Sequence, residues 1–133
     1  MITPEQLAAA GTEHAHQTAV MCWAAINRAT YPELVLLHAI GNGGERNVIV
    51  ASRMKAEGVK AGIPDLHLPV ARRGYISLYI EMKKPDRVNH KNGGLSDEQV
   101  ELIALLRQHT NCVLVCYTWA EAARGLAGYL GAT

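Results

Sequence analysis

Gly62-Ile63-Pro64-Asp65-Leu66-His67-Leu68-Pro69-Val70-Ala71-Arg72-Arg73-Gly74-Tyr75-Ile76-Ser77-Leu78-Tyr79-Ile80-Glu81-Met82-Lys83 is the stretch on which the fold turns. Its second half alternates: Ile76, Leu78, Ile80 and Met82 fall on one face of a strand, and Ser77, Tyr79, Glu81 and Lys83 on the other. A shorter strand over 66–70 precedes it, joined by the turn Ala71-Arg72-Arg73-Gly74. Centring the turn between Arg72 and Arg73 sets Asp65 opposite Ile80 or Glu81, so the two acids are neighbours across adjoining strands. Lys83 shares the face of Glu81. Two carboxylates and an ammonium thus converge at one end of a sheet whose other face is apolar.

Outward from this hairpin, helices and strands alternate. Thr3-Pro4-Glu5-Gln6 is a capping box with proline at the first helical position, so a helix starts there, with Gly11-Thr12 as an interruption. Glu13, Gln17, Val20, Ala24 and Asn27 continue on one helical stripe up to Tyr31-Pro32. Residues 34–39 read as a buried strand, and 46–57 as a helix stopped by Gly58. After the polar loop 85–94, Ser96-Asp97-Glu98-Gln99 opens another helix with a second capping box. Residues 112–117 form a continuous apolar strand, as expected where both faces are covered. Thr118-Trp119-Ala120-Glu121 is a third capping box, opening the last helix to about residue 130. The expected fold is α/β: a small mixed sheet flanked by helices, in one domain over 1–133.

Composition agrees with that reading and narrows the function classes. Of 133 residues, 49% are apolar and 19% charged, which excludes a disordered chain. There is no Phe, so the core must be aliphatic. No apolar run is long enough to span a membrane, and no signal peptide is visible, so the expected location is the cytoplasm. Cys22, Cys112 and Cys116 cannot all pair within one chain and read as buried reduced thiols. The net charge of +1 hides a segregation. Residues 46–91 carry ten Lys or Arg against four acids, and the remainder three Arg against eight acids. A basic segment of this size points to a polyanionic partner, or to a solvated basic face.

Like-charged carboxylates side by side repel unless something positive sits between them, and a divalent cation with oxygen ligands is the natural occupant. The alternative is a structural salt bridge from Lys83 to Glu81, with Asp65 facing solvent. The text itself, Pro64-Asp65 followed by Glu81-x-Lys83 on the next strand, resembles the PD-(D/E)XK nuclease motif. It is more closely similar to the VRR-NUC family of virus-type replication and repair nucleases. Five blocks match in order over about 12–118. They are Glu13-x-x-x-Gln17, Asn42-Gly43-Gly44-x-Arg46, Gly62-x-Pro64-Asp65-Leu66, Ile80-Glu81-x-Lys83 and Leu95-Ser96-x-x-Gln99.

That resemblance implies a restriction-endonuclease-like core and a metal-dependent DNA endonuclease, in a homodimer that resolves four-way junctions. Short standalone members of the family are typical of phage and bacterial genomes and act in DNA repair. It implies Mg²⁺ or Mn²⁺ held by Asp65, Glu81, the backbone carbonyl of Met82 and Glu13, directly or through water. Lys83 would orient the attacking water or stabilise charge on the phosphate, and Gln17 and Gln99 would position groups. Asn42, Gly43, Gly44, Arg46, Arg72, Arg73, Lys84 and Lys91 are the expected DNA contacts. Met21, Trp23, Trp119, Leu126, Tyr129 and Leu130 offer apolar surface for a dimer, or cover for the protein's own sheet. A nuclease-fold module that only binds nucleic acid, and a structural or assembly protein, are the competing readings.

Other tempting features carry less. His14 and His16 point to different helix faces and read as surface side chains, not a metal pair. Gly41-Asn42-Gly43-Gly44 lacks a following Lys-Ser/Thr, so it is no nucleotide-binding P-loop. His67 shares the face of Asp65 and is a lesser candidate for touching substrate.

Overall fold

The computed structural model describes residues 1–41 and 47–131. Thr3 caps helix α1 (Pro4–Ala8) reciprocally with Gln6, and Thr12 caps α2 (Glu13–Ile26). Strands β1 (His38–Ala39), β2 (Leu66–Leu68), β3 (Ser77–Met82) and β4 (Asn111–Cys116) form one sheet in the order β1-β2-β3-β4. The first two pairings are antiparallel and β3–β4 is parallel. The crossover between those parallel strands is α4 (Asp97–Gln108), whose Ser96–Gln99 capping box is fully formed. Helices α3 (Val48–Ala56) and α5 (Trp119–Leu130) complete the chain.

The core lies on the face where β2 and β3 present Leu66, Leu68, Leu78, Ile80 and Met82. Val20 and Ala24 from α2 and Ala122 and Leu126 from α5 close over them. Ala24 and Ala122 let the two helices approach the short sheet closely, while Val20 and Leu126 fill the core without a single Phe. Truncating a fully buried member such as Leu78 to Ala would cost about 2–5 kcal/mol. On the opposite face α4 runs along β4, burying Ile103, and Arg107 Nη2 donates to the Val113 carbonyl at 2.8 Å.

Several sequence expectations are corrected. Residues 34–39 are not a buried strand: Pro32–Leu36 is a 3-10 turn, and only His38–Ala39 pairs, as an exposed edge. Leu34 and Leu37 are buried while Val35 and Leu36 are exposed, a spacing of three rather than two. His16 is buried, its Nδ1 accepting from Trp119 N at 2.9 Å and so holding the start of α5 against α2. The third capping box is half-formed: Thr118 accepts from Glu121 N, but Glu121 Oε1 reaches Tyr117 N instead of the cap residue's own. The thiols are free, but only Cys116 is buried. Leu126, Tyr129 and Leu130 cover the protein's own sheet.

Candidate active site

The register of the hairpin is Leu66↔Ile80, His67↔Tyr79 and Leu68↔Leu78. One more step sets Asp65 beside Glu81, within the range expected from the turn. Asp65 is held there from both sides. Its carbonyl accepts from Ile40 N at 2.8 Å, and its Oδ2 accepts from Met82 N at 2.7 Å. The segment leading to it is fixed by Gly62, at φ +90°, where a Cβ would lie 2.9 Å from the backbone of Glu98 on α4. A side chain there is excluded both by the left-handed backbone and by the contact.

Glu81 is buried, with 2% of its surface exposed. Its carboxyl shares a hydrogen bond with Asp65, and its Oε2 has no partner among the described residues. Burial first, then the Asp65 hydrogen bond and charge, push its pKa up to about 10; Lys83 pulls it down and Glu13 pushes it up. These four groups therefore sense one another. The expected convergence of Asp65, Glu81 and Lys83 is present, with Glu13 at electrostatic range from the first turn of α2. Lys83 closes no ion pair with Glu81 within 4 Å among the described residues, so a structural salt bridge does not account for the arrangement.

A native protein keeps few buried polar atoms unpaired, and one in a carboxyl pair asks for a positive partner. Asp65, Glu81 and the backbone of Met82 offer hard oxygen donors of the kind that suit Mg²⁺ or Mn²⁺. Among the described residues no three His, Cys, Asp or Glu side chains cluster tightly enough to hold a metal by themselves. Glu13 acts on the pair from α2 through its charge, pushing the Glu81 pKa up.

The remaining sequence candidates separate by position. Gln99 Oε1 accepts from Ser96 N at 2.8 Å in the α4 cap, and Gln17 is half-buried on α2. Arg72 and Arg73 lie at the turn, the length of β3 away from Glu81, roughly 20 Å at 3.3 Å per residue. Arg72 there pairs with Glu33 at 3.2 Å. Lys84 and Lys91 lie in the loop that leaves β3 just after Lys83. Asn42, Gly43, Gly44 and Arg46 lie outside the described residues. His67 is engaged: Ser77 donates its only proton to Asn111 Oδ1 at 2.6 Å, so His67 Nε2, 3.1 Å away, must be the donor to Ser77. Its ring stacks on Tyr79 at 4.2 Å and meets His38 edge-on at 5.4 Å. The sequence reading missed Tyr117 and Arg87, which organise the 84–94 loop. The signal available for Tyr117 was its place just past Cys116, at the end of the strand beside the ExK motif.

The VRR-NUC domain matches this sequence over residues 4–119. The chain belongs to the VRR-NUC family. A solved structure described as a VRR_NUC domain protein superposes with a TM-score of 0.71 at 29% identity, covering 90% of this chain and 88% of that one. No curated protein matches it. The VRR-NUC match accounts for the mixed four-stranded sheet flanked by helices and gives the chain a nuclease-type fold. No helix among the described residues is long and apolar enough to cross a membrane.

Proposed function

We propose that this VRR-NUC chain is a Mg²⁺- or Mn²⁺-dependent endonuclease that hydrolyses phosphodiester bonds in branched DNA. One observation carries the reading: the buried Glu81, whose Oε2 has no partner among the described residues, set beside Asp65 at the end of the sheet that also carries Lys83. Asp65, Glu81 and the Met82 carbonyl are the groups that would hold the ion, with Glu13 contributing directly or through water. Such an ion supplies a Lewis acid for the phosphate oxygens and acidifies water. The chain's own contribution is positional. The two bonds to Asp65 fix one carboxylate, and the sheet fixes the other. Lys83 supplies three N–H donors to the charge that builds on phosphate. Gln99 commits its carbonyl to the helix cap, which leaves the amide Nε2 as the end that donates to substrate.

One such centre cuts one strand, so paired cuts across a four-way junction need two chains related by two-fold symmetry. An open groove lined by Trp23, Trp119, Ala120, Ala123, Arg124 and Ala127 supports a homodimer through α2 and α5. Plasmid and synthetic four-way junctions incubated with Mg²⁺, beside an EDTA control, test the reading. Cleavage only with metal, paired symmetric nicks and a light-scattering mass near twice 14.4 kDa are expected. Retardation of DNA without cleavage would reduce the chain to a binding module. A monomer that nicks one strand would remove the junction reading and leave the nuclease.

A further inference from the structure

The sequence presents residues 85–94 as a polar loop, either a DNA-backbone contact or a plain connector, and the chain there is tightly organised. Two short 3-10 turns, Pro85–Arg87 and Lys91–Gly94, are linked by main-chain bonds. Arg87 N donates to Lys84 O at 2.9 Å, His90 N to Arg87 O at 3.0 Å and Gly93 N to His90 O at 2.9 Å. Asn92, Gly93 and Gly94 then turn left-handed in succession, at φ 54°, 63° and 83°. A Cβ at Gly94 would lie 2.7 Å from that of Arg87, so the loop closes on itself.

Tyr117 locks it to the sheet. Its Oη donates to the Gly93 carbonyl at 2.7 Å, and a Cβ at Gly93 would run into that hydroxyl. Burial, with Glu121 and Cys116 nearby, raises the Tyr117 pKa, so the phenol keeps the proton it donates. Tyr117 directly follows Cys116, which pairs with Met82 and accepts from Lys83 N at 2.8 Å. The anchor of the loop is therefore one residue from the β4 position that fixes the end of the Glu81–Lys83 strand.

The loop's side chains point to its use. Lys84, Arg87, His90 and Lys91 are exposed, and Asp86 is the one acid among them, 3.7 Å from Lys84 and 3.9 Å from Arg87. An ordered backbone that holds cations in water has no structural need of them. It does spare a phosphate ligand the entropy of ordering the loop. We propose that 84–94 is a prebuilt clamp for a backbone phosphate of the strand flanking the scissile bond, with Tyr117 as its positioning residue. This rests on the nucleic-acid reading above, and the clamp acts on binding rather than on the chemical step.

The test is a double-mutant cycle on the full chain with a labelled DNA duplex and a four-way junction. Affinity is read by anisotropy across a salt series, and KM and kcat in Mg²⁺. Tyr117→Phe should weaken binding about 3–10-fold, raise KM to match and leave kcat within about twofold. It should also lower the log–log salt slope by about one, the value for one lost phosphate contact. Lys91→Ala should do the same, and the double variant should be no weaker than the poorer single by more than about twofold. Gly93→Ala breaks the same bond from the other side and should reproduce the loss, with melting temperatures showing every variant folded. Full additivity in the double variant, or Tyr117→Phe binding within twofold of wild type, overturns the clamp. A wild-type chain that binds DNA but does not cleave overturns the endonuclease reading instead, and the binding cycle still decides the loop.

Discussion

Ser77 and Glu81 are four residues apart on the same face of β3, both buried and both polar, yet their surroundings differ in kind. Ser77 is 6% exposed and saturated: its hydroxyl donates to Asn111 and accepts from His67, while Asn111 Nδ2 passes on to the Leu106 carbonyl at 3.0 Å. That network costs nothing unpaired and ties β2, β3, β4 and the end of α4 together. Glu81 is more deeply buried and left short, with one oxygen unpartnered among the described residues and a second acid alongside. The same strand thus carries a completed polar network at one end and an incomplete one at the other. Incompleteness is what separates a site from a structural motif, because burying an unsatisfied carboxyl costs stability that only a ligand returns.

The largest effect should come from completing Glu81 artificially. Glu81→Gln keeps the shape but cannot ionise to hold a cation, so Mg²⁺-dependent cleavage should fall about 1,000-fold or more, measured as nicking of supercoiled DNA. The same change should stabilise the metal-free protein. The unfolded glutamate titrates near 4.5 and the folded one near 10. Below 4.5 both states hold the proton. Between the two values the unfolded chain releases a proton that the native state keeps, so stability falls as pH rises, by at most about 1.4 kcal/mol per unit. Above about 10 the loss levels off. Melting curves in EDTA from pH 5 to 9 should therefore show wild type losing stability relative to Glu81→Gln. Mg²⁺ should restore wild type alone. A variant less stable than wild type at pH 8 would mean that Glu81 is satisfied after all.

Ser77→Ala should invert the pattern. It strands His67 Nε2 and Asn111 Oδ1, at a cost of about 1–3 kcal/mol. The melting temperature should drop by several degrees, with the cleavage rate within about twofold of wild type. A rate loss on the scale of Glu81→Gln would show that both ends of β3 serve one chemistry.

The carboxylate end was legible in the sequence and the other end was not, for a physical reason. Strand alternation and a short turn fix a register locally, so Asp65, Glu81 and Lys83 converge on arithmetic alone. The Ser77–Asn111 bond joins residues 34 apart, and depends on β4 entering parallel beside β3. No local pattern carries that pairing. Residues 34–39 misled because a run of Leu and Val fits a strand by composition, while Pro32 and the burial of Leu34 and Leu37 make it a turn. The His16 bond to Trp119 spans 103 residues and was equally invisible, since helix periodicity says which face a histidine takes but not what comes to meet it.

The smallest effect, and the sharpest division between structure and site, belongs to Gln99. Its carbonyl oxygen completes the α4 capping box with Ser96, while its amide nitrogen is the end assigned here to substrate. Glutamate at this position caps equally well, because the box needs only an acceptor. Gln99→Glu should therefore keep the melting temperature within about a degree while removing the donor and placing a negative charge near the phosphate. KM for DNA should rise a few-fold, and kcat should change by less. Gln99→Ala loses both ends, so it should show the same KM shift plus roughly 0.5–1 kcal/mol of stability, the range of a lost cap. If Gln99→Glu cleaves with wild-type KM and Gln99→Ala loses only stability, Gln99 is a cap and nothing more. The boundary of the site would then fall between the Gly62 contact with α4 and the cap itself.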